Sequence, residues 1–150
     1  MRVFRRLSDL AAEQGRLLGV SSWIEMSQSR IDLFAKATED HQWIHTDPQR
    51  TQAELGHPTV AHGYLTLSLI PRFMDEIMRV GSTKRIINYG AERIRFVNMV
   101  PVDARVRGAI TLQRADLKNG SLRTNCEIAV EIEGAAKPAL VAEVIMLLFE

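Results

Sequence analysis

Residues 63–80 read GYLTLSLIPRFMDEIMRV. Tyr64, Leu65, Leu67, Leu69, Ile70, Phe73, Met74, Ile77 and Met78 leave almost no polar face until Asp75 and Glu76. A helix that is apolar nearly all round must be covered on most sides. Pro71 removes one backbone donor and crowds residue 67, which predicts a kink or a local break. The cover follows in the chain, as four strand-like stretches at about 86–96, 104–116, 121–133 and 138–149. In the third, Leu122, Thr124, Cys126, Ile128, Val130 and Ile132 alternate with Arg123, Asn125, Glu127, Ala129 and Glu131. One face is dry and the other wet, as an antiparallel sheet allows. Asn119-Gly120 and the stretch Gly134 to Pro138 are turn signals placed to make a meander.

Upstream the pattern is mostly helical. Leu7, Leu10 and Ala11 have helical spacing within residues 4–14, which predicts a short amphipathic helix ending at Gly15. Val20, Ser22, Ile24 and Met26 fall on one side of an alternating run, which reads as a strand. Ser27 or Ser29 then caps a helix through about Ala37, with Ile31, Phe34 and Ala35 on one face. Asp47-Pro48 supplies an N-cap and an N1 proline for a further short helix that Gly56 closes. One buried helix and about five antiparallel strands pack well when the sheet curls round the helix. That predicts an α+β fold of the hot-dog type.

The 150 residues suit a single domain over 1–150. A composition of 46% hydrophobic and 25% charged residues excludes disorder and fibrous repeats. A chain of this length buries roughly 70% of its unfolded surface, enough for a core without staples. Nineteen basic against 18 acidic residues give a net charge of +1, no footprint for wrapping nucleic acid. A single cysteine excludes an internal disulfide framework. No stretch approaches the roughly 20 apolar residues of a membrane span, and the expectation is a soluble, cytoplasmic protein without a membrane partner.

The densest chemistry runs from Thr38 to Pro48, between two predicted helices, and so reads as a loop. A second feature, Ala61-His62-Gly63-Tyr64, opens the buried helix, whose first N–H groups are free to meet negative charge. Several residues have ordinary readings. Asp47 is an N-cap, His41 an exposed loop residue, His57 a turn residue, and His62 a helix cap or the partner of a core carbonyl. Cys126 lies on an apolar strand face and behaves as a small hydrophobe. Arg93, Arg95, Arg105 and Arg107 alternate with buried positions and are expected on the outer sheet face. His41 and His45 have metal-ligand spacing, but Pro48 and the polar loop oppose one continuous helix, and HExxH is absent. No metal is expected. Neither is a cofactor, since no Gly-rich phosphate loop is present.

The run Asp40-His41-Gln42-Trp43-Ile44-His45-Thr46-Asp47-Pro48, followed by Ala61-His62-Gly63, resembles the MaoC-like (R)-specific enoyl-CoA hydratases. Arg95-Phe96 and Pro101-Val102 fall where that family has its "RF…PV" strand and turn. Gln42-Trp43 replaces the Asn-Pro of many members, which is closer to the small single-domain, nodulation-protein-N-like branch. The resemblance implies hydration of trans-2-enoyl-CoA to (R)-3-hydroxyacyl-CoA, with Asp40 and His45 as the catalytic pair. It implies Gly63 as the oxyanion-hole N–H, His62 near the substrate, an acyl-CoA partner, and a homodimer with sites near the interface. An N–H aimed at the thioester oxygen contributes about 3 kcal/mol. A neutral histidine near its ordinary pKa of about 6.5 can deprotonate water. Lys84 and Arg85, in the loop after the buried helix, are candidates for the phosphates of coenzyme A. Two other readings stay open: a hot-dog acyl-CoA thioesterase and a non-catalytic acyl-thioester-binding protein. Fold alone does not separate them.

Overall fold

A computed structural model describes residues 1–150. In chain order the elements are β1 (Arg2–Phe4), α1 (Leu7–Ala11), β2 (Arg16–Val20), β3 (Ile24–Glu25), α2 (Gln28–Thr38), α3 (Trp43–Thr46), α4 (Pro48–Leu55), α5 (Gly63–Ser68), α6 (Ile70–Ile77), β4 (Met78–Val80), β5 (Arg85–Phe96), β6 (Arg105–Lys118), β7 (Ser121–Ile132) and β8 (Leu140–Phe149). The main sheet has the order β2-β6-β7-β8-β5 and is antiparallel throughout, with β3 also paired to β6. Asn119 (φ 49°) and Gly120 (φ 74°) form the two-residue β6–β7 turn, where positive φ at both positions matches the twist of a hairpin.

The dry face of the sheet meets the helix pair in one cluster of 31 buried residues. Val106, Ile110, Leu112, Leu122, Ile128, Val130 and Leu140 supply the sheet side, and Leu65, Leu69, Ile70, Phe73 and Ile77 the helix side. Each such side chain contributes about 1.5–3 kcal/mol by leaving water. The closest approach is at Gly108 of β6, where a Cβ would lie 2.7–2.8 Å from three carbons of the Phe73 side chain. This α+β hot-dog arrangement is the one the 63–80 stretch implies.

The break expected near Pro71 is present, and four local expectations change. The 63–80 helix is two segments, α5 and α6, that meet at Leu69 (φ −80°, ψ −11°). Pro71 falls in the first turn of α6, where its missing N–H costs nothing, and Met78–Val80 leaves the helix to pair in parallel with β1. The 4–14 helix shrinks to α1, because residues 2–4 are taken by that pairing. The strand expected over 20–26 starts earlier and breaks: β2 has a register shift between Leu17 and Gly19, and Ser21 exchanges hydrogen bonds with Gly108. Leu18, Ile24 and Met26 are buried as a result, while Val20 is exposed. The 38–48 stretch holds a helical turn, α3. The two predicted caps are present: Ser27 Oγ accepts from Arg30 N, and Asp47 Oδ1 accepts from Arg50 N.

Strand β5 stands apart. It is one edge of the sheet, and of its 12 residues only Ile94 is even partly covered. No helix is long and apolar enough to cross a membrane.

Candidate active site

Three chain segments converge at one end of the helix pair. The first leaves α2, where Glu39 in the left-handed region (φ 62°) turns the chain sharply. Asp40 follows, and its Oδ1 accepts from Gln42 N at 3.4 Å, a local turn that leads into α3 and His45. The second segment holds Val60 and Ala61 against Pro101 and Val100. His62 then ends that segment as the residue preceding the first turn of α5. The third is the end of β5 and the loop after it, Phe96 to Val100. From the first turn of α2, Gln28 Nε2 donates to the His45 carbonyl at 2.8 Å, and Thr59 Oγ1 donates to Gln28 Oε1 at 2.5 Å. His45 is therefore held at its backbone by two elements remote in sequence.

Hydrogen bonding assigns the tautomer of each histidine. His45 is 8% exposed, and its Nδ1 lies 2.7 Å from the Val60 carbonyl. A carbonyl only accepts, so Nδ1 carries the hydrogen and Nε2 keeps its lone pair. His62 is 2% exposed, and its Nε2 lies 3.0 Å from the Asp40 carbonyl, so Nε2–H is the donor there. The two rings stack with centroids 3.8 Å apart and 25° between planes, and Phe34 packs on His62 at 5.0 Å. The Asp40 carboxylate is 50% exposed, with Oδ2 3.9 Å from His62 Nε2. One side-chain polar atom from each of Asp40, His45 and His62 lies within 4.8 Å of the others. Burial lowers the pKa of His45 below its ordinary value, against the opposing bond to Val60. His45 is neutral at neutral pH, with a nitrogen free to take a proton.

These three groups are close enough to surround a cation. Their directions suit hydrogen bonding better. Imidazole lone pairs lie in the ring plane, and in two rings stacked nearly parallel they run side by side instead of converging.

A cavity of about 400 Å³ opens over the pair. Asp40, His45, His62 and Gly63 line it, and Ile44, Val60, Phe96, Met99 and Val100 give it apolar walls. Its size is that of ordinary small-molecule sites. The Gly63 N–H, in the first turn of α5, has no partner within the chain. A Cβ on Gly63 would stand 2.9–3.1 Å from three carbons of the Phe96 ring, so glycine lets that aromatic wall approach the free N–H.

The structure thus gathers Asp40, His45, His62 and Gly63 at one cavity, with His62 the most buried of the ionisable groups. His41 is exposed and lies outside the cavity wall, and Asp47 caps α4. Lys84 and Arg85 sit at the other end of β5, where Lys84 N bonds to the Phe149 carbonyl and the Arg85 guanidinium lies 4.5 Å over the Phe149 ring. A strand of that length spans roughly 35–40 Å, so they do not reach the cavity of their own chain. Arg105 and Arg107 pair with Glu133 and Glu131, and Arg93 with Glu143. Arg93 sits in a bulge of β5 (φ 50°), which ends the simple alternation expected there. Sequence reasoning missed Gln28, Thr59, Phe34 and the Val60 carbonyl. Gln28 joins residues 17 and 31 positions away, and no local signal marks such contacts.

Residues 9–134 match the MaoC like domain. The chain belongs to the MaoC-like dehydratase family. Among its MaoC-like relatives, 3-hydroxyacyl-thioester dehydratase Z of Mycobacterium tuberculosis is 46% identical over 147 residues, covering 97% of each chain. Nodulation protein N of Rhizobium leguminosarum bv. viciae is 41% identical over 139 residues, covering 91% of this chain and 86% of its own. Of solved structures, the R-hydratase PhaJ1 from Pseudomonas aeruginosa superposes with a TM-score of 0.75 at 18% identity, covering 97% of this chain and 86% of that one. The (R)-hydratase from A. caviae gives 0.72 at 18% identity, covering 89% and 95%. At that identity the structural likeness shows that this MaoC-like chain shares their fold.

Proposed function

We propose that this protein interconverts trans-2-enoyl and (R)-3-hydroxyacyl thioesters of coenzyme A, with Asp40 and His45 as its catalytic pair. The observation that carries this is the unencumbered Nε2 of His45, which shares one cavity with the Asp40 carboxylate and the free N–H of Gly63. In hydration, a water loses a proton to the pair and its oxygen bonds to C3. The C2–C3 π electrons move toward the carbonyl, whose oxygen takes up negative charge. Gly63 N–H meets that charge with a donor already in place, and needs no reorganisation as the charge grows. A proton then returns to C2. Dehydration of the 3-hydroxy thioester is the same path reversed. The name of the 46%-identical relative, a 3-hydroxyacyl-thioester dehydratase, supports this reaction class. The apolar walls suit a short to medium acyl chain. Polar atoms of Asp40 and His45 lie within 4.8 Å of each other, so the pair can act on one water, which supports delivery to one face of the double bond.

The proposal includes a homodimer. Strand β5 is an edge with Ile86, Ile87 and Tyr89 exposed, and a second copy's β5 would pair with it and cover them. Antiparallel pairing about a twofold axis sets the Arg85 end of one strand beside the Phe96 end of the other. Lys84 and Arg85 of the second copy then come to the mouth of the cavity, where the coenzyme's phosphates emerge.

The test is turnover of crotonyl-CoA without additives, followed as loss of enoyl-thioester absorbance, with chiral analysis of the product and sedimentation of the enzyme. The expected result is (R)-3-hydroxybutyryl-CoA, undiminished by EDTA, from a dimer. Thiol release without hydration indicates a thioesterase, binding without turnover a carrier, and an (S) product or an active 16.9 kDa monomer overturns the corresponding part of the reading.

A further inference from the structure

His62 is the most buried ionisable group at the site, and the mechanism above gives it no chemical step. We propose that His62 is a positioning residue, whose Nε2–H bond to the Asp40 carbonyl holds the Asp40 carboxylate in front of His45. This rests on the reading of Asp40 and His45 as the working pair. The geometry is specific. Asp40 follows a left-handed residue at the end of a helix, half-exposed, and its own side chain is anchored only by a 3.4 Å bond from Gln42 N. Left to itself that loop would sample many carboxylate positions. The 3.0 Å bond from His62 joins it to the start of α5, the element that also carries the Gly63 N–H. The same ring lies between Phe34 and His45, so one buried side chain touches both members of the pair. It also lines the cavity, but at 2% exposure most of its surface is turned to the protein, chiefly to Asp40, His45 and Phe34.

The tautomer follows from the same contacts. His62 Nδ1 is buried without a hydrogen-bond partner. A hydrogen there would place an unsatisfied donor in the interior, beside the stacked His45 ring. The contacts therefore select the Nε2–H tautomer of His62, with that hydrogen aimed at the Asp40 carbonyl.

Two variants and one spectrum test this. His62→Phe fills the same space and keeps the stack but loses the donor. It is expected to lower kcat at least about tenfold with KM within about twofold, the pattern of a misplaced catalytic group. His62→Gln puts an amide N–H near the position of Nε2 and is expected to recover most of the loss. In the unmodified protein, nitrogen NMR is expected to show a protonated Nε2 and a bare Nδ1 at neutral pH. Three outcomes overturn the proposal: a raised KM with kcat intact, a glutamine variant no better than the phenylalanine one, or the opposite tautomer. The spectrum is independent of turnover. If Asp40 and His45 variants retain full activity while the tautomer is as described, it is the assignment of the pair that fails.

Discussion

Replacing Asp40 with asparagine separates chemistry from structure more cleanly than any other change at the site. The amide has the size of the carboxylate, and the side chain is half-exposed, so the change neither opens a cavity nor buries a charge. Asparagine Oδ1 can still accept from Gln42 N, and the residue 40 carbonyl still takes the His62 N–H. Stability should move by no more than about 0.5 kcal/mol. The reaction, by contrast, loses the group that orients the water and carries or returns a proton. General acid–base groups contribute about 10²–10⁴ in rate, which at 1.36 kcal/mol per decade is about 3–5 kcal/mol of the barrier. The assay is the initial rate of crotonyl-CoA hydration across substrate concentration, beside a denaturant midpoint for the same preparation. The expected outcome is a fall in kcat of at least about 10²-fold, matched in kcat/KM, at unchanged midpoint. Retention of more than about a third of kcat refutes the assignment, and so does a loss that only tracks stability. His45→Ala should be as severe in rate but also lose about 1–3 kcal/mol of stability, because it leaves the Val60 carbonyl unpaired. The double variant should be little worse than the worse single one, since two groups acting on one water are not additive.

His41→Ala should change kcat by no more than a few-fold, since His41 is exposed and outside the cavity wall; steady-state rates equal to those of the His45 variant would show the loop misassigned. Because burial lowers the His45 pKa below 6.5, kcat/KM should hold through pH 6.5 and decline only as pH falls through the lower folded value; an acid limb above 6.5 contradicts this. The same shift makes the unfolded chain bind this proton first, so its stabilising contribution is complete above pH 6.5 and lost as pH falls from there through the folded pKa, readable in urea titrations at successive pH. Gly108→Ala should destabilise by about 1–3 kcal/mol, measured by denaturant unfolding, because the added methyl meets buried Phe73. Alanine at both Lys84 and Arg85 should raise KM for a CoA thioester with kcat nearly unchanged and leave a pantetheine thioester unaffected; an equal response from both substrates places the phosphates elsewhere.

The features that were readable in the chain are those fixed by short-range physics. The caps at Ser27 and Asp47 depend on a side chain reaching an N–H three residues on, and the dry face of β7 on simple alternation. The all-round apolar 63–80 stretch required a wrapping sheet whatever the details. Asp40, His45 and Gly63 stood out as candidates through the family resemblance, whose motif lies in two short segments. Elsewhere a distant partner set the outcome. The strand at 20–26 lost its phase because Ser21 bonds to Gly108, and Met78–Val80 left its helix to pair with Arg2–Phe4. The tautomers of His45 and His62 follow from carbonyls 15 and 22 residues away. The exposure of both faces of β5 appears only once the sheet order makes it an edge. Sequence by itself determined which surfaces had to be dry and which residues could do chemistry, since both are properties of side chains and their near neighbours. Tertiary structure alone decided which way each proton points and which groups share a cavity, because those depend on chain segments that only folding brings together.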